Sequence, residues 1–210
     1  MKIRFWLIGC MLVSVAATLL VYESIPEKVP AHWGISGEID RYENKIWLFF
    51  TASLPFLLYA LMYLIPRIDP RPDSYQKHSV PYELIVIAII LFLMGMHWSV
   101  IMYSLGFPVN IPVLVKFFSG ILFLLIGIYM PQIRHNYTFG IRTPWTLASE
   151  TVWKKTHEKG ALVFLVNGVL WTSLAFFEAE FVFYFLLSAI FLGTMWLFYY
   201  SWKLYNLEKK

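Results

Sequence analysis

The stretch Phe5-Trp-Leu-Ile-Gly-Cys-Met-Leu-Val-Ser-Val-Ala-Ala-Thr-Leu-Leu-Val-Tyr22 runs for 18 residues without a charge, close to the roughly 20 that a helix needs to cross a bilayer. It follows Lys2 and Arg4, as the apolar region of a signal peptide would. It is longer than such a region, however, and no small-residue cleavage pattern comes after it, so it reads as a retained first span. Five further runs follow at 46–66, 82–105, 111–131, 161–177 and 180–200, with Trp, Tyr and Pro at their ends. The expected fold is therefore all-α: a polytopic six-helix transmembrane bundle forming one membrane domain over 1–210. It carries a shaped outer loop at 23–45 and a cytoplasmic loop at 132–160.

Composition supports this reading. Of 210 residues, 59% are hydrophobic and only 14% charged, against about 25% charged in a usual soluble domain, and the mean hydropathy is +0.63. An ordinary soluble enzyme is excluded, and lipid must cover the outside. The 18 Phe, 9 Trp and 13 Tyr suit rings placed at both bilayer interfaces. Cys10 is the one cysteine, so the fold has no internal disulfide.

Charge placement predicts orientation. The tails and the 67–81 and 132–160 loops carry 13 Lys and Arg, and the opposite connections carry 3. Short basic loops stay cytoplasmic, which puts both termini inside a plasma membrane and the 23–45 loop outside. Each three-helix half begins with a span followed by a long loop, and the halves have opposite orientations, the plan of an inverted repeat. The echo of Pro30, His32 and Gly37 in Pro131, His135 and Gly140 is loose.

In the outer loop, Pro26 and Pro30 fix φ, Gly34 and Gly37 permit tight turns, and His32 with Trp33 lies between them. This is a shaped surface lying against the membrane. His32, Glu38 and Asp40 match no metal signature and are expected to make hydrogen bonds within the loop, so neither a metal nor a cofactor is expected. The acidic residues of this face, Glu178 and Glu180 among them, would attract a cationic peptide from outside.

In the cytoplasmic loop, Thr143 suits an N-cap, Pro144 a first helical position, and Gly160 the position past a C-terminus. A helix over about 144–159 follows. Trp145, Ala148 and Val152 form its apolar stripe, the pattern of a helix lying at the interface or of a partner-binding surface. Arg142 at its start is placed for an anion such as a lipid phosphate. The Asn136-Tyr-Thr sequon lies on the wrong face for glycosylation.

Intramembrane polar residues are few. Lys116 is expected to snorkel outward, and His97 and Asn167 to hydrogen-bond between helices. Cys10, Ser14 and Thr18, and likewise Ala189 and Gly193, recur every four residues as close-packing faces. No H-E-x-x-H, G-x-S-x-G or phosphate-cradling glycine loop occurs, which argues against an enzyme. Nothing points to direct nucleic-acid binding. The alternative class is a small transporter or exporter with inverted halves, in which His97 and Asn167 would line a path.

At the two loops the chain resembles the SdpI family of bacterial multi-pass membrane proteins. Pro26, Pro30, His32, Trp33, Gly37 and Asp40 fit the pattern P-x-x-x-P-x-H-W-x-x-x-G-x-x-D of the family's associated N-terminal module. The stretch Gly140-Ile-Arg-Thr-Pro-Trp-Thr-Leu147, followed by Ser149-Glu150, Trp153, Thr156-His157 and Gly160, resembles its signature module. Gly34 stands where members often carry Asn. The resemblance implies a membrane immunity protein that meets a secreted peptide toxin on the outer face. It also implies signalling, in which a small soluble transcriptional repressor is held at the cytoplasmic face. Trp33 and Asp40 would then serve recognition, and Arg142, Trp145, Trp153 and His157 the partner.

Overall fold

A computed structural model describes residues 4–209; Lys2 and Lys210, used above for orientation, lie outside them. The chain runs α1 (Phe5–Val21), β1 (Lys28–Trp33), β2 (Ile39–Asn44), α2 (Trp47–Ile68), α3 (Pro72–Lys77), α4 (Ser79–Ser104), α5 (Ile111–Tyr129), α6 (Pro144–Ala148), α7 (Glu150–Ser173) and α8 (Glu180–Glu208). Six long helices form the bundle, and α1, α2, α4, α5 and α8 are each long and apolar enough to cross a membrane. They leave large side chains such as Leu20, Phe181, Phe191 and Leu192 uncovered by protein. In water that surface would aggregate; in a bilayer it is the lipid contact.

The sixth helix, α7, is less apolar, since its first ten residues, 150–159, hold five charges. Its remaining half nevertheless runs antiparallel beside α5 through a glycine seam. A Cβ on Gly120 would lie 2.6 Å from the Thr172 amide, one on Gly168 2.7 Å from the Leu124 amide, and one on Gly127 2.9 Å from the Leu165 amide. Contacts to backbone at three successive levels mean that the two helix backbones touch, as small residues allow in membranes.

The first half is tied by a histidine. His97 of α4 lies 2.9 Å from Thr18 Oγ1 of α1 through Nε2 and 2.8 Å from Thr51 Oγ1 of α2 through Nδ1. Trp98 Nε1–H donates to Ser14 Oγ at 2.8 Å. The interhelical role expected of His97 is the one observed. Ser14 and Thr18 are buried but Cys10 is exposed, because a four-residue repeat drifts about 40° per step around a 3.6-residue helix.

Two elements depart from the sequence expectation. The 144–159 helix is interrupted at Ser149, whose extended backbone (φ −140°, ψ 127°) ends α6 and whose hydroxyl accepts the Val152 amide proton to start α7. The stripe of Trp145, Ala148 and Val152 is therefore divided between two helices. Gly160 ends nothing: α7 passes through it, and the missing Cβ leaves room for Met130 Sδ and the Ile141 side chain. The span expected at 161–177 is the second half of a 24-residue helix, about 36 Å long at 1.5 Å per residue.

The outer-loop stretch is a β-hairpin, with Val29 opposite Glu43 and Trp33 opposite Ile39 and irregular register around His32. Pro30 in β1 is tolerated because a two-stranded ribbon has only edge strands. The equivalent stretch of the second half, 132–143, has no strand, so the loops do not repeat one another in structure.

Candidate functional site: a pocket under the hairpin and a buried loop at the other end

The hairpin is held down from below. Val29 and Ile25 pack with Leu48 and Ile101 in a fully buried cluster, and the Trp33 ring meets Tyr103 edge-on with centroids 6.3 Å apart. Its tip leans on the other half of the bundle. Gly37, at φ +86°, takes a left-handed conformation that a side chain would strain, and its Cβ position lies 3.5 Å from Pro112 of α5. Between tip and helices lies a pocket of about 730 Å³, within the range of small-ligand sites.

The pocket gathers residues from three separate stretches: Trp33, Gly37 and Asp40 of the hairpin, Asn110 and Lys116 of the α5 start, and Glu178 between α7 and α8. His32 Nδ1 sits 2.7 Å from Asp40 Oδ1, the loop-internal bond expected of them. Glu38 contributes its carbonyl, which accepts from Gly34 N–H at 2.8 Å. A side chain at position 34 would begin 3.4 Å from the Asp40 carboxylate, so Gly34 leaves that oxygen accessible. Pro26 precedes β1, and Pro30 is buried within it.

Lys116 runs along the pocket wall: as a residue it is 7% exposed, and its Nζ donates to the Phe177 carbonyl at 2.7 Å. Asn110 Oδ1 caps α5 by accepting from Val113 N–H, while its Nδ2 donates to Glu178 Oε1 at 2.7 Å. Asn167 departs from the interhelical bond expected of it: its amide donates to the Val163 carbonyl of its own helix, and its Oδ1 is buried without a partner among the described residues.

At the opposite end the 132–160 stretch folds on buried polar side chains. Asn136, fully buried, donates to the Arg134 and Phe139 carbonyls and accepts the amide protons of Thr138 and Phe139. Asp69, at the end of α2, accepts from Thr138 Oγ1 at 2.7 Å, the Tyr137 amide at 3.0 Å and Tyr75 OH at 3.1 Å. Tyr75 also contacts Thr138 Oγ1 directly. Burial pushes the Asp69 carboxyl up, but the Thr138 hydroxyl and the amides of Arg71 and Tyr137 outweigh it and hold the group below the usual carboxylate value. Burial pushes the Tyr75 phenol up to about 12.

The signature residues are largely internal. Trp153 is 2% exposed and donates Nε1–H to the Ile133 carbonyl at 2.9 Å; its ring stacks on His157 with centroids 4.1 Å apart and meets His135 at 4.9 Å. His157 Nδ1 lies 2.9 Å from the Trp153 carbonyl, and Nε2 accepts the Ile141 amide proton at 3.0 Å, the pattern of a neutral imidazole protonated on Nδ1. Burial pushes His157 and His78 down to about 4. Thr143 and Thr146 close a capping box around Pro144 and are buried. Trp153 and His157 thus cannot touch a soluble partner in this conformation. Arg142, exposed and bonded to the Tyr137 carbonyl at 3.2 Å, and Trp145, packed on Phe198, are the signature residues nearer the surface.

The sequence reading missed Asp69, Tyr75, His78 and Asn110 as organising residues. Asp69 carried one signal, an acid directly after an apolar run. Asn136, which the sequence marks only as a sequon on the wrong face for glycosylation, is the centre of its loop.

Comparison with known proteins separates the same two regions. Residues 132–201 match the SdpI/YfhL protein family, and residues 10–59 match a domain of unknown function, DUF1648. The chain is 27% identical over 169 residues to the immunity protein SdpI of Bacillus subtilis (strain 168), covering 80% of this chain and 79% of that one. No solved structure matches.

Proposed function

The chain resembles the SdpI family in both of its modules, and from that premise we propose that this multi-pass membrane protein is an immunity protein against a secreted antimicrobial peptide. The hairpin and its pocket face outward, and both termini and the 132–160 loop face the cytoplasm. The excess of Lys and Arg at the loop end supports this orientation. The toxin engages at the hairpin, and the protein acts by binding, without catalysis.

The observation that carries the reading is the pocket. It is closed by the stretch that resembles the family's N-terminal module, and it brings Trp33 and Asp40 together with Lys116 and Glu178 from the other half of the chain. A ligand seated there contacts both halves at once. It can favour one arrangement of α5 against the hairpin, which is what a signalling receptor requires. We extend the reading to the second face: capture of a small soluble repressor would involve Arg142 and Trp145, with Trp153 and His157 acting as internal supports for that surface.

The test is survival of a toxin-sensitive bacterium expressing this protein, against empty vector, under challenge with the sporulation-delay peptide and a small panel of other membrane-active peptides. Protection against one peptide is the expected result. Equal killing with and without the protein, once its presence in the membrane is verified, overturns the reading.

A further inference from the structure

We infer that β2 is a dimerisation edge, at which a second copy of this chain in the same membrane adds its own β2 antiparallel and completes a four-stranded sheet. Such a contact needs no toxin, so it stands or falls apart from the immunity reading.

The register of the hairpin decides which main-chain groups are free. Two strands make up the sheet, so each has one edge without a strand beside it. Lys45 N–H donates to the Glu27 carbonyl at 2.8 Å directly across the hairpin, and bonded and non-bonded pairs alternate along an antiparallel ladder. Val29 with Glu43 is therefore a bonded pair, whereas Lys28 with Asn44 and Pro30 with Tyr42 are non-bonded pairs whose amides and carbonyls point away from the neighbouring strand. On β1 that outer edge is blunted, because Pro30 has no amide proton to offer and the strand lies beside α4. On β2 it is open. The main-chain groups of Tyr42 and Asn44 face outward from a strand in which Asp40, Arg41, Tyr42 and Asn44 are all exposed.

The side chains of β2 say which strand fits. Charges along an edge deter most strands, but Ile39-Asp-Arg-Tyr-Glu-Asn44 is complementary to itself. Turned antiparallel about Tyr42, it sets Tyr42 against Tyr42, Asp40 against Asn44, and Arg41 against Glu43 of the second copy. Tyr42 then forms a bonded pair, and Arg41 and Glu43 meet in the closer non-bonded pairs, where opposite charges stabilise and like charges repel. A slip of one residue would face outward main-chain groups with inward ones. A slip of two would put Arg41 against Arg41 or Glu43 against Glu43. Within one chain Arg41 and Glu43 meet only loosely, at 3.6 Å and in solvent, which leaves both able to pair across the edge.

The surface continues into the membrane. Helix α2 begins at Trp47, three residues after β2 ends. Ile46, Phe50, Ser53, Leu57, Ala60 and Leu64 are exposed and recur at alternating steps of four and three, the spacing at which two helices pack side by side. Lipid alone could cover such a face, so the choice of occupant rests on β2. A two-fold axis along the membrane normal brings the two strand edges and the two α2 faces together in one closed contact.

The test is disulfide cross-linking of the full chain in the membranes of the expressing cell, in a Cys10→Ser background that removes the native thiol. Tyr42→Cys places facing Cα atoms about 5.5 Å apart across the two-fold, within disulfide reach, and Ile35→Cys at the exposed hairpin tip reports random collision. Under mild oxidation Tyr42→Cys should form the linked dimer at least about tenfold faster than Ile35→Cys. Adding Arg41→Glu or Glu43→Arg should slow it at least about fivefold, and adding both should restore it. Equal rates at the two thiols overturn the inference, and so does a charge swap that fails to restore linking at unchanged membrane levels. Unlinked chains whose Tyr42→Cys thiol is shielded from a maleimide only after the sporulation-delay peptide is added would also overturn it, and would give the edge to the peptide.

Discussion

Gly140 and His157 are in direct contact: a Cβ on Gly140 would stand 2.5 Å from His157 Nε2. The glycine's φ of +111° delivers the next amide, that of Ile141, to that same nitrogen at 3.0 Å. The signature loop thus closes onto α7 through a conformation that only glycine adopts readily, against a ring held from its other side by the Trp153 carbonyl.

Gly140→Ala should therefore destabilise the protein by about 2–4 kcal/mol, from backbone strain added to the steric clash. Gly95→Ala, with nothing within 4 Å of its Cβ position, should leave the melting temperature within a degree or two or raise it slightly. Thermal unfolding in detergent or nanodiscs compares the two. Equal melting temperatures would remove the contact from the account.

Acid should loosen the same end. His78 and His157, held down to about 4 by burial, are neutral when folded, whereas in the unfolded chain they protonate near pH 6.5. Their contribution is fully present above pH 6.5 and is lost as pH falls toward 4, of the order of a few kcal/mol in total. The depressed Asp69 carboxyl loses its own contribution only at still lower pH. A melting temperature that stays flat from pH 7 to pH 4.5 would contradict this.

Asp69→Asn replaces a carboxylate that accepts from Thr138, Tyr137 and Tyr75 with a group that has one acceptor oxygen and a competing donor. A loss of about 2–3 kcal/mol is expected. Cleavage of the 132–143 stretch by added protease should rise correspondingly. Unchanged proteolysis would show that the loop is organised without Asp69.

Gly168→Val would drive a β-branched side chain into Leu124, whose amide already lies 2.7 Å from the position of a Cβ. The α5–α7 seam should open and little folded protein should reach the membrane. At Gly9, with open space around its Cβ position, the same substitution should be tolerated. Membrane-inserted yield by quantitative blotting separates the two cases.

The helices were readable from their apolar runs because lipid demands about 20 such residues wherever the chain crosses. The exception is instructive. α7 combines a charged, loop-supporting half with an apolar, membrane-level half, so the sequence divides it at Gly160 into a helix over 144–159 and a span at 161–177, where the glycine serves close packing and not a stop. The hairpin was readable as a shaped loop but not as strands, since Pro30 and the register irregularity at His32 erase the alternation. The sequence marks Lys116 as a snorkelling residue. That it ends on the Phe177 carbonyl, beside Asp40 and Glu178, depends on contacts between residues more than 60 positions apart. Periodicity holds no record of such contacts.

The most direct measurement is survival of a toxin-sensitive strain carrying the unaltered protein, Trp33→Ala, Asp40→Ala or Arg142→Ala, at matched membrane levels under peptide challenge. The account predicts protection by the unaltered protein, at least about tenfold lower survival with either hairpin variant, and retained protection with Arg142→Ala. Full protection by both hairpin variants, or none by the unaltered protein, would contradict it.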